Sequence, residues 1–216
     1  MKCLGPVRTF HVPDFTALLA PFVTRPLSPA QLDQIQRYLN LLLKWNLKIS
    51  LTSLRDAEEI VRRHFGESLF AGEHLGLEAA STLIDVGSGA GFPGLPIKIF
   101  APHLSVTLIE SQQKKVSFLR EGIRALGLTN AGVYAGRAEA SQLKAKIVTL
   151  RAVEKFESAL PVAASLLEPG GRLALLIGAS QADAARRLLP TLAWRQPVPI
   201  PESRERILLI GSLEIH

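Results

Sequence analysis

A carboxylate that runs directly into a series of glycines is the segment of this sequence best suited to hold a small molecule. It reads Asp85-Val-Gly-Ser-Gly-Ala-Gly-Phe-Pro-Gly94, and a short apolar run at 82–86 leads into it. Glycine permits positive φ angles and lets the backbone approach a ligand closely. The part that begins at Gly89 fits the G-x-G-x-x-G pattern of dinucleotide-binding turns. The segment therefore predicts a strand, a tight turn and a helix around a bound ligand.

Three features favour S-adenosylmethionine (SAM) over a dinucleotide as that ligand. Asp85 places a carboxylate at the strand end, where it could hold the cationic amino-acid end of SAM directly or through water. The dinucleotide pattern would begin late for a strand-to-helix turn. SAM needs no phosphate cradle, so Phe92 and Pro93 can occupy the helix entry. A nicotinamide cofactor and a purely structural turn remain as alternatives.

Residues at the ends of the following strands extend the predicted site. Glu110 ends the second strand, where an acid can accept hydrogen bonds from ribose hydroxyls, and Ala138 with Glu139 follows the third strand. Arg151 ends the fourth and is the candidate positioning residue; it could grip the SAM carboxylate or an RNA phosphate, or form a structural ion pair. No catalytic residue is assigned. The predicted cofactor-binding residues are Asp85, Gly87, Ser88, Gly89, Gly91, Phe92, Glu110, Ala138, Glu139 and Arg151.

Alternating strands and helices after residue 82 predict the element order that positions these residues. Strands are expected at 82–86, 105–110, 133–135, 147–150, 172–177, 194–198 and 206–210, with a turn at 169–171. This order predicts an α/β fold of the class I SAM-dependent methyltransferase type: a Rossmann-like, mostly parallel seven-stranded sheet. A helical extension is predicted at 1–76, where Ser28, Pro29 and Gln31 form a capping box, and the methyltransferase domain at 77–216.

Composition limits the partners and the chemistry. The 216 residues carry a net charge of +6 and a single cysteine, Cys3. The basic balance favours an anionic partner such as RNA. One cysteine excludes a disulfide framework or a cysteine-built metal site within one chain, and we expect no metal. No run of residues is long and apolar enough for a bilayer, so we expect a cytoplasmic protein that lacks a secretory leader and a membrane span. We also expect a monomer.

A motif that is missing after the fourth strand limits which chemical groups could accept the methyl group. It ends in Leu150-Arg-Ala-Val153 and not in the Asn/Asp-Pro-Pro-aromatic tetrad of exocyclic-amine methyltransferases. Methylation of pyrimidine C5 needs a cysteine nucleophile, and Cys3 lies far from the motifs. The remaining acceptors include ring nitrogens such as guanine N7, whose lone pair is free and whose methylation needs no general base. Alignment and exclusion of water would then supply most of the catalysis.

Several motifs together resemble the bacterial small-subunit ribosomal RNA guanine-N7 methyltransferases, also called glucose-inhibited division protein B. The similarity covers about residues 30–212. The motifs that carry it are Lys44-Trp-Asn46, Leu51-Thr52, 64–69, Asp85 to Gly94 with Leu95-Pro96, Lys115, Phe118-Leu-Arg120, Arg137-Ala-Glu139 and Arg151-Ala-Val153. The resemblance implies methylation of a guanine in 16S ribosomal RNA, free or in the small ribosomal subunit, with SAM as donor. It also implies SAM contacts from Gly87, Phe92, Ala138, Glu139 and Arg151.

Four positions depart from that family's pattern. Ser50 stands where Asn often precedes Leu-Thr, and Glu67 where Asp is usual. Ile177 replaces a lysine before Gly178, and Ile207 replaces a histidine after Arg206. The last two remove polar groups from the expected RNA side.

Six basic residues, called the basic track below, are candidates for contacts with RNA. Six cations could contact RNA phosphates or form a solvated surface: Arg62, Arg63, Lys114, Lys115, Arg120 and Arg124. Trp45 is expected in the core and His64 in a hydrogen bond. A small-molecule methyltransferase and a non-catalytic RNA-binding protein of the same fold remain as alternatives to an RNA methyltransferase.

Overall fold

The computed structural model describes residues 14–151 and 155–214. Its first part is helical, with α1 (Phe15–Leu19), α2 (Pro29–Asn46), α3 (Ala57–Ile60) and α4 (Glu67–His74). One π-helical turn, Val61–Gly66, joins α3 to α4. The predicted capping box at the start of α2 is confirmed, because Ser28 and Gln31 exchange side-chain to backbone hydrogen bonds.

The second part is an open sheet. Its strands are β1 (Thr82–Val86), β2 (Ser105–Glu110), β3 (Ala131–Ala135), β4 (Ala145–Arg151), β5 (Leu167–Gly178), β6 (Leu192–Trp194), β7 (Val198–Pro199) and β8 (Arg206–Leu213). The order is β3-β2-β1-β4-β5-β8-β6, and β7 pairs with β8. The first five strands are parallel, whereas β8 runs antiparallel to β5. The predicted fold class is thus confirmed. The single strand predicted at 194–198 is wrong, because β6 ends at Trp194 and a separate two-residue β7 begins at Val198.

Helices α5 (Gly94–Phe100), α6 (Gln113–Ala125), α7 (Phe156–Ser165) and α8 (Ala182–Leu188) alternate with the strands. The predicted turn at 169–171 is wrong, because these residues lie within β5. They form an irregularity there: Ala145 pairs with Leu167, and the next pair is Ile147 with Arg172. Pro169 and Gly170, with a positive φ at Gly170, interrupt the ladder without reversing the chain.

Two apolar cores cover the two faces of the sheet. One joins α2, the π-helical turn and α4 to α5, α6 and alternate residues of β1, including Leu83. The other includes Ile84 and packs against α7 and α8. The helical extension therefore shares its core with the sheet, and the division at residue 76 stays a prediction. No helix of the described residues is long and apolar enough to cross a membrane.

Candidate functional site

The carboxyl ends of the parallel strands open onto a cavity of about 310 Å³. This is the edge at which open parallel sheets bind ligands. The cavity brings together four predicted residues, Gly87, Glu110, Ala138 and Glu139. The rest of its lining is Val86, Ile109, Ser111, Gly136, Arg137, Lys155, Ala159 and Val162. Its volume lies at the lower end of the range for small-molecule sites, which is about 300–1,000 Å³.

Glu110 links the end of β2 to the glycine-rich turn. Its Oε2 accepts a hydrogen bond from the Gly89 amide at 3.0 Å, and its Oε1 accepts one from the Gln112 amide at 2.8 Å. A carboxylate has about four acceptor positions, so both oxygens can still accept from hydroxyl groups. A vicinal diol such as a ribose therefore fits the chemistry of this carboxylate.

Gly89 leaves the backbone of the turn bare beside Glu110. Its φ is +57°, a conformation that side chains with a Cβ rarely adopt. A Cβ built at this position would meet only the Gly87 oxygen, at 3.9 Å. The space next to the turn is therefore open to a ligand, and the residues present fit a nucleoside such as that of SAM.

Asp85 points into the protein interior. Its Oδ1 accepts from the Thr149 hydroxyl at 2.7 Å, and its Oδ2 accepts from the Gly94 amide at 3.2 Å. Burial raises the pKa of Asp85 to about 6, and the hydrogen bonds from Thr149, Ser88 and Gly94 oppose that rise. The carboxylate thus braces the start of α5 against β4. Its predicted contact with the amino end of SAM stays a prediction.

Phe92 lies in an aromatic cluster that attaches the turn to the helical extension. Its ring stacks on Tyr38 with centroids 5.3 Å apart, stacks on His64 at 4.8 Å, and meets the edge of Phe65 at 5.1 Å. The Tyr38 hydroxyl donates to the carbonyl of Ala90 within the turn. Burial raises the pKa of Tyr38, so this phenol stays a donor. Sequence reasoning missed Tyr38; its position on the apolar face of α2 was the available signal.

Gly91 and Ser88 also support the turn from inside. The φ of Gly91 is +85°, and a Cβ there would collide with the Tyr38 hydroxyl. Ser88 is buried, and its hydroxyl donates to the Asp85 carbonyl at 2.9 Å. The structure thus surrounds both residues with protein, and their predicted contacts with the cofactor stay predictions.

Arg151 forms a structural ion pair, which is one of the two roles that the sequence left open for it. Its Nη2 lies 3.0 Å from Glu67 Oε2, and both side chains are more than 90% buried. The same nitrogen donates to the Arg63 carbonyl at 2.7 Å and contacts His64 Nδ1 at 3.1 Å. Burial lowers the pKa of Arg151 to about 10, so the guanidinium remains charged at neutral pH. A contact of Arg151 with a bound anion stays a prediction.

The six cations of the predicted basic track fall into two groups. Arg62 pairs with Glu58 and Glu202, and Arg63 pairs with Glu59. The other four lie on α6 and form no ion pair within the described residues: Lys114, Lys115, Arg120 and Arg124. Lys115 is half-buried and the other three are exposed. Within the predicted track, the charge available to an anionic partner therefore lies on α6, which begins just after Glu110. No group of metal-ligating side chains is found in 14–151 and 155–214.

The fold is that of class I SAM-dependent methyltransferases. Residues of this chain align with a ribosomal protein L11 methylase from Lactobacillus delbrueckii subsp. bulgaricus with a TM-score of 0.60 and 15% identity, covering 71% of this chain and 80% of that one. A SAM-dependent methyltransferase from Aquifex aeolicus aligns with a TM-score of 0.52 and 17% identity, covering 62% and 82%. At these identities the likeness establishes the fold.

The sequence then gives the family. The model of the GidB family, described as rRNA small subunit methyltransferase G, matches residues 31–196. Proteins named ribosomal RNA small subunit methyltransferase G are similar over most of the chain. The one from Exiguobacterium sp. is 40% identical over 87% of this chain and 80% of its own length, and the one from Bacillus subtilis is 34% identical over 94% and 91%. The chain therefore belongs to the rRNA small subunit methyltransferase G family.

Proposed function

We propose that this protein transfers the methyl group of SAM to N7 of a guanine in small-subunit (16S) ribosomal RNA. The observation that carries the proposal is the cavity lined by Gly87 and Glu110, whose carboxylate also accepts from the Gly89 amide of the bare turn, in a chain of this family. Glu110 would hold the ribose hydroxyls of SAM, and Ala138 with Glu139 would lie beside the adenine. Bound SAM supplies the electrophilic methyl group.

The titratable side chains near the turn favour an acceptor that needs no general base. Both ring nitrogens of His64 are engaged, and its pKa is lowered to about 2, chiefly by burial. Both oxygens of Asp85 accept hydrogen bonds from the protein. Neither group is free to remove a proton from an acceptor. Guanine N7 carries a free lone pair and loses no proton on methylation, so orientation of the base and exclusion of water suffice.

The RNA would approach over α6. Its four cations lie on the helix that follows the cofactor cavity, and they are the members of the basic track that form no ion pair within the described residues. Phosphate contacts of this kind orient RNA without reading its sequence. We further propose that the protein acts as a monomer in the cytoplasm; sedimentation velocity of the purified chain, alone and with RNA, tests the first of these.

Radiolabelled methyl transfer tests the function. The purified protein is given labelled SAM with naked 16S RNA, with assembled small subunits and with a panel of small metabolites. We expect label in one of the RNA substrates, and mapping should place it on N7 of a guanine. Label only in metabolites would establish a small-molecule methyltransferase, and RNA binding without label would establish a non-catalytic protein.

A pair of glycine variants tests where the cofactor binds. Gly89→Asp puts a charged side chain into the open space beside the turn and strains the backbone there, and we expect loss of SAM binding by calorimetry. Gly132→Asp adds the same charge in β3, where a Cβ has no neighbour within 4 Å, and we expect wild-type binding. Equal SAM binding by both variants would show that the cofactor lies elsewhere.

A further inference from the structure

His64 connects the glycine-rich turn to the end of β4. Its ring stacks on Phe92 of the turn at 4.8 Å with an interplanar angle of 27°. Its Nδ1 lies 3.1 Å from Arg151 Nη2, and its Nε2 lies 2.7 Å from the Thr52 hydroxyl oxygen. One side chain of the helical extension thus touches both the segment proposed to seat SAM and the cation at the end of β4.

The partners of the ring determine its protonation state. A guanidinium has only donors, so Nδ1 must be the acceptor in its contact with Arg151, whose Nη2 shares two hydrogens among Nδ1, the Arg63 carbonyl and Glu67 Oε2. The proton of the neutral ring then lies on Nε2, which donates to Thr52. Burial, followed by the charges of Arg151, Arg63 and Arg206, keeps the ring neutral by lowering its pKa to about 2. His64 is therefore a fixed acceptor for Arg151 and not a proton carrier.

Local sequence explains why the two partners of His64 lie where they do. Asn46, at the end of α2, accepts from the amides of Leu51 and Thr52 and donates to the Thr52 carbonyl, which fixes the loop that carries the hydroxyl. The π-helical turn presents the Arg63 carbonyl to Arg151 at 2.7 Å. Such turns within α-helices are frequent at functional sites.

The cluster around Arg151 retains positive charge. Oε2 of Glu67 lies 3.0 Å from Nη2 of both Arg151 and Arg206, so one carboxylate faces two guanidinium groups. His64 is neutral and adds no compensating charge. Two further charges act on Arg151, those of Arg63 and Asp85. Three guanidinium groups therefore face two carboxylates in a region where Arg151 and Glu67 are buried. A buried surplus of this sign attracts an oxyanion.

We propose that His64 is a positioning residue, which orients the Arg151 guanidinium so that it can grip an oxyanion of the bound substrates. That oxyanion is the carboxylate of SAM or a phosphate of the RNA. The inference rests on the proposed function and adds a role for a residue that touches neither substrate itself. The Thr52 hydroxyl, in a loop fixed by Asn46, accepts from Nε2 of the ring, and stacking on Phe92 orients the plane of the ring.

Two amide substitutions distinguish the role of Nδ1 from the role of Nε2. His64→Asn places an amide oxygen near the position of Nδ1 and can still accept from Arg151. His64→Gln places its amide near Nε2, keeps the contact with Thr52 and leaves Arg151 without this acceptor. Both variants lose the ring, so each is the control for the other in stacking and volume. Calorimetry gives the Kd for SAM, initial rates give the KM for 16S RNA, and thermal unfolding gives the Tm of each variant.

We expect His64→Gln to weaken one of the two oxyanion contacts about tenfold or more, and His64→Asn to weaken it less than about threefold, because hydrogen bonds to charged groups are typically worth a factor of ten or more. A change in the SAM Kd identifies the carboxylate, and a change in the RNA KM identifies the phosphate. In an Arg151→Met background the difference between the two variants should vanish.

Three results would overturn the inference: equal effects of the two variants, a difference that persists without Arg151, or losses that merely follow the order of the Tm values. A wild-type protein that binds SAM but methylates no RNA would refute the proposed function, while the Kd comparison would still decide the role of His64.

Discussion

Replacement of Tyr38 by Phe removes one hydroxyl group from the contact between the helical extension and the glycine-rich turn. That hydroxyl is buried and donates to the Ala90 carbonyl, which lies between two residues of the predicted cofactor site. The ring would still stack on Phe92, so little packing is lost. The change therefore isolates one hydrogen bond in the support of the turn.

The expected cost follows from the acceptor that is left behind. A typical hydrogen bond contributes about 0.5–1.5 kcal/mol, and a buried partner left unsatisfied costs about 1–3 kcal/mol. We expect Tyr38→Phe to lower the free energy of unfolding by about 1–3 kcal/mol. For a chain of this size that corresponds to a fall in Tm of several degrees, at about 2–4 °C per kcal/mol. The loosened turn should also bind SAM more weakly.

Tyr134→Phe is the matched control, because Tyr134 is the other tyrosine of the chain and is half-buried against the second core. Its hydroxyl forms no hydrogen bond to the part of the chain that the structure describes. We expect a change within about 0.5 kcal/mol. Denaturant unfolding at constant m-value measures both variants. Equal losses, or a Tyr38→Phe loss below about 0.5 kcal/mol, would refute the reasoning.

Three further outcomes are expected. Glu110→Gln should raise the SAM Kd about 10- to 100-fold in calorimetry, since a hydrogen bond to a charged group is worth about 1.5–3 kcal/mol; an unchanged Kd would exclude the ribose role. His64 is neutral when folded but binds a proton below about pH 6.5 when unfolded, so its contribution to stability is lost as the pH falls. The free energy of unfolding of wild type relative to His64→Asn should therefore rise by up to about 1.4 kcal/mol per pH unit between pH 4 and 6, and a flat difference would contradict the burial of the ring. Lys114→Ala and Lys115→Ala should each reduce the slope of log affinity against log salt for RNA by about 1, whereas Arg62→Ala should leave it unchanged.

Local signals predicted the strands and helices that carry the site. The bounds of β1 and β2 agree with the predicted 82–86 and 105–110, because each is an apolar run that ends in a charged residue or a glycine turn. The cap at Ser28 depends on neighbours three residues apart, which the sequence displays directly. The turn predicted at 169–171 was wrong because Pro and Gly also occur in strand irregularities, which depend on the partner strand.

The orientation of side chains within the site could not be predicted, because it depends on contacts between distant segments. Asp85 faces Thr149, which lies 64 positions away, and this places its carboxylate inside the fold. Glu67 meets Arg151 across 84 positions, so this ion pair could not be read from local spacing. Glu58 and Glu59 lie one helical turn before Arg62 and Arg63, and that spacing was visible in the sequence, whereas the contact of Arg62 with Glu202 was not.

The departures Ile177 and Ile207 from the family pattern are related in space. They are cross-strand partners in the antiparallel pairing of β5 with β8, and both are buried in the same core. The two departures from the expected pattern thus form one apolar cross-strand pair. Ser50 precedes the loop that Asn46 fixes, and nothing in the structure explains its identity.

The core shared by the extension and the sheet has a consequence for synthesis of the chain. Helix α2 emerges from the ribosome first, but α6, one of the elements that cover it, is complete only at Ala125. At about 5–20 residues per second, those roughly 80 residues take about 4–16 s, during which the apolar stripe of α2 lacks part of its native neighbours. Nascent chains halted before residue 125 should therefore be prone to aggregation and depend on chaperones until the sheet is assembled.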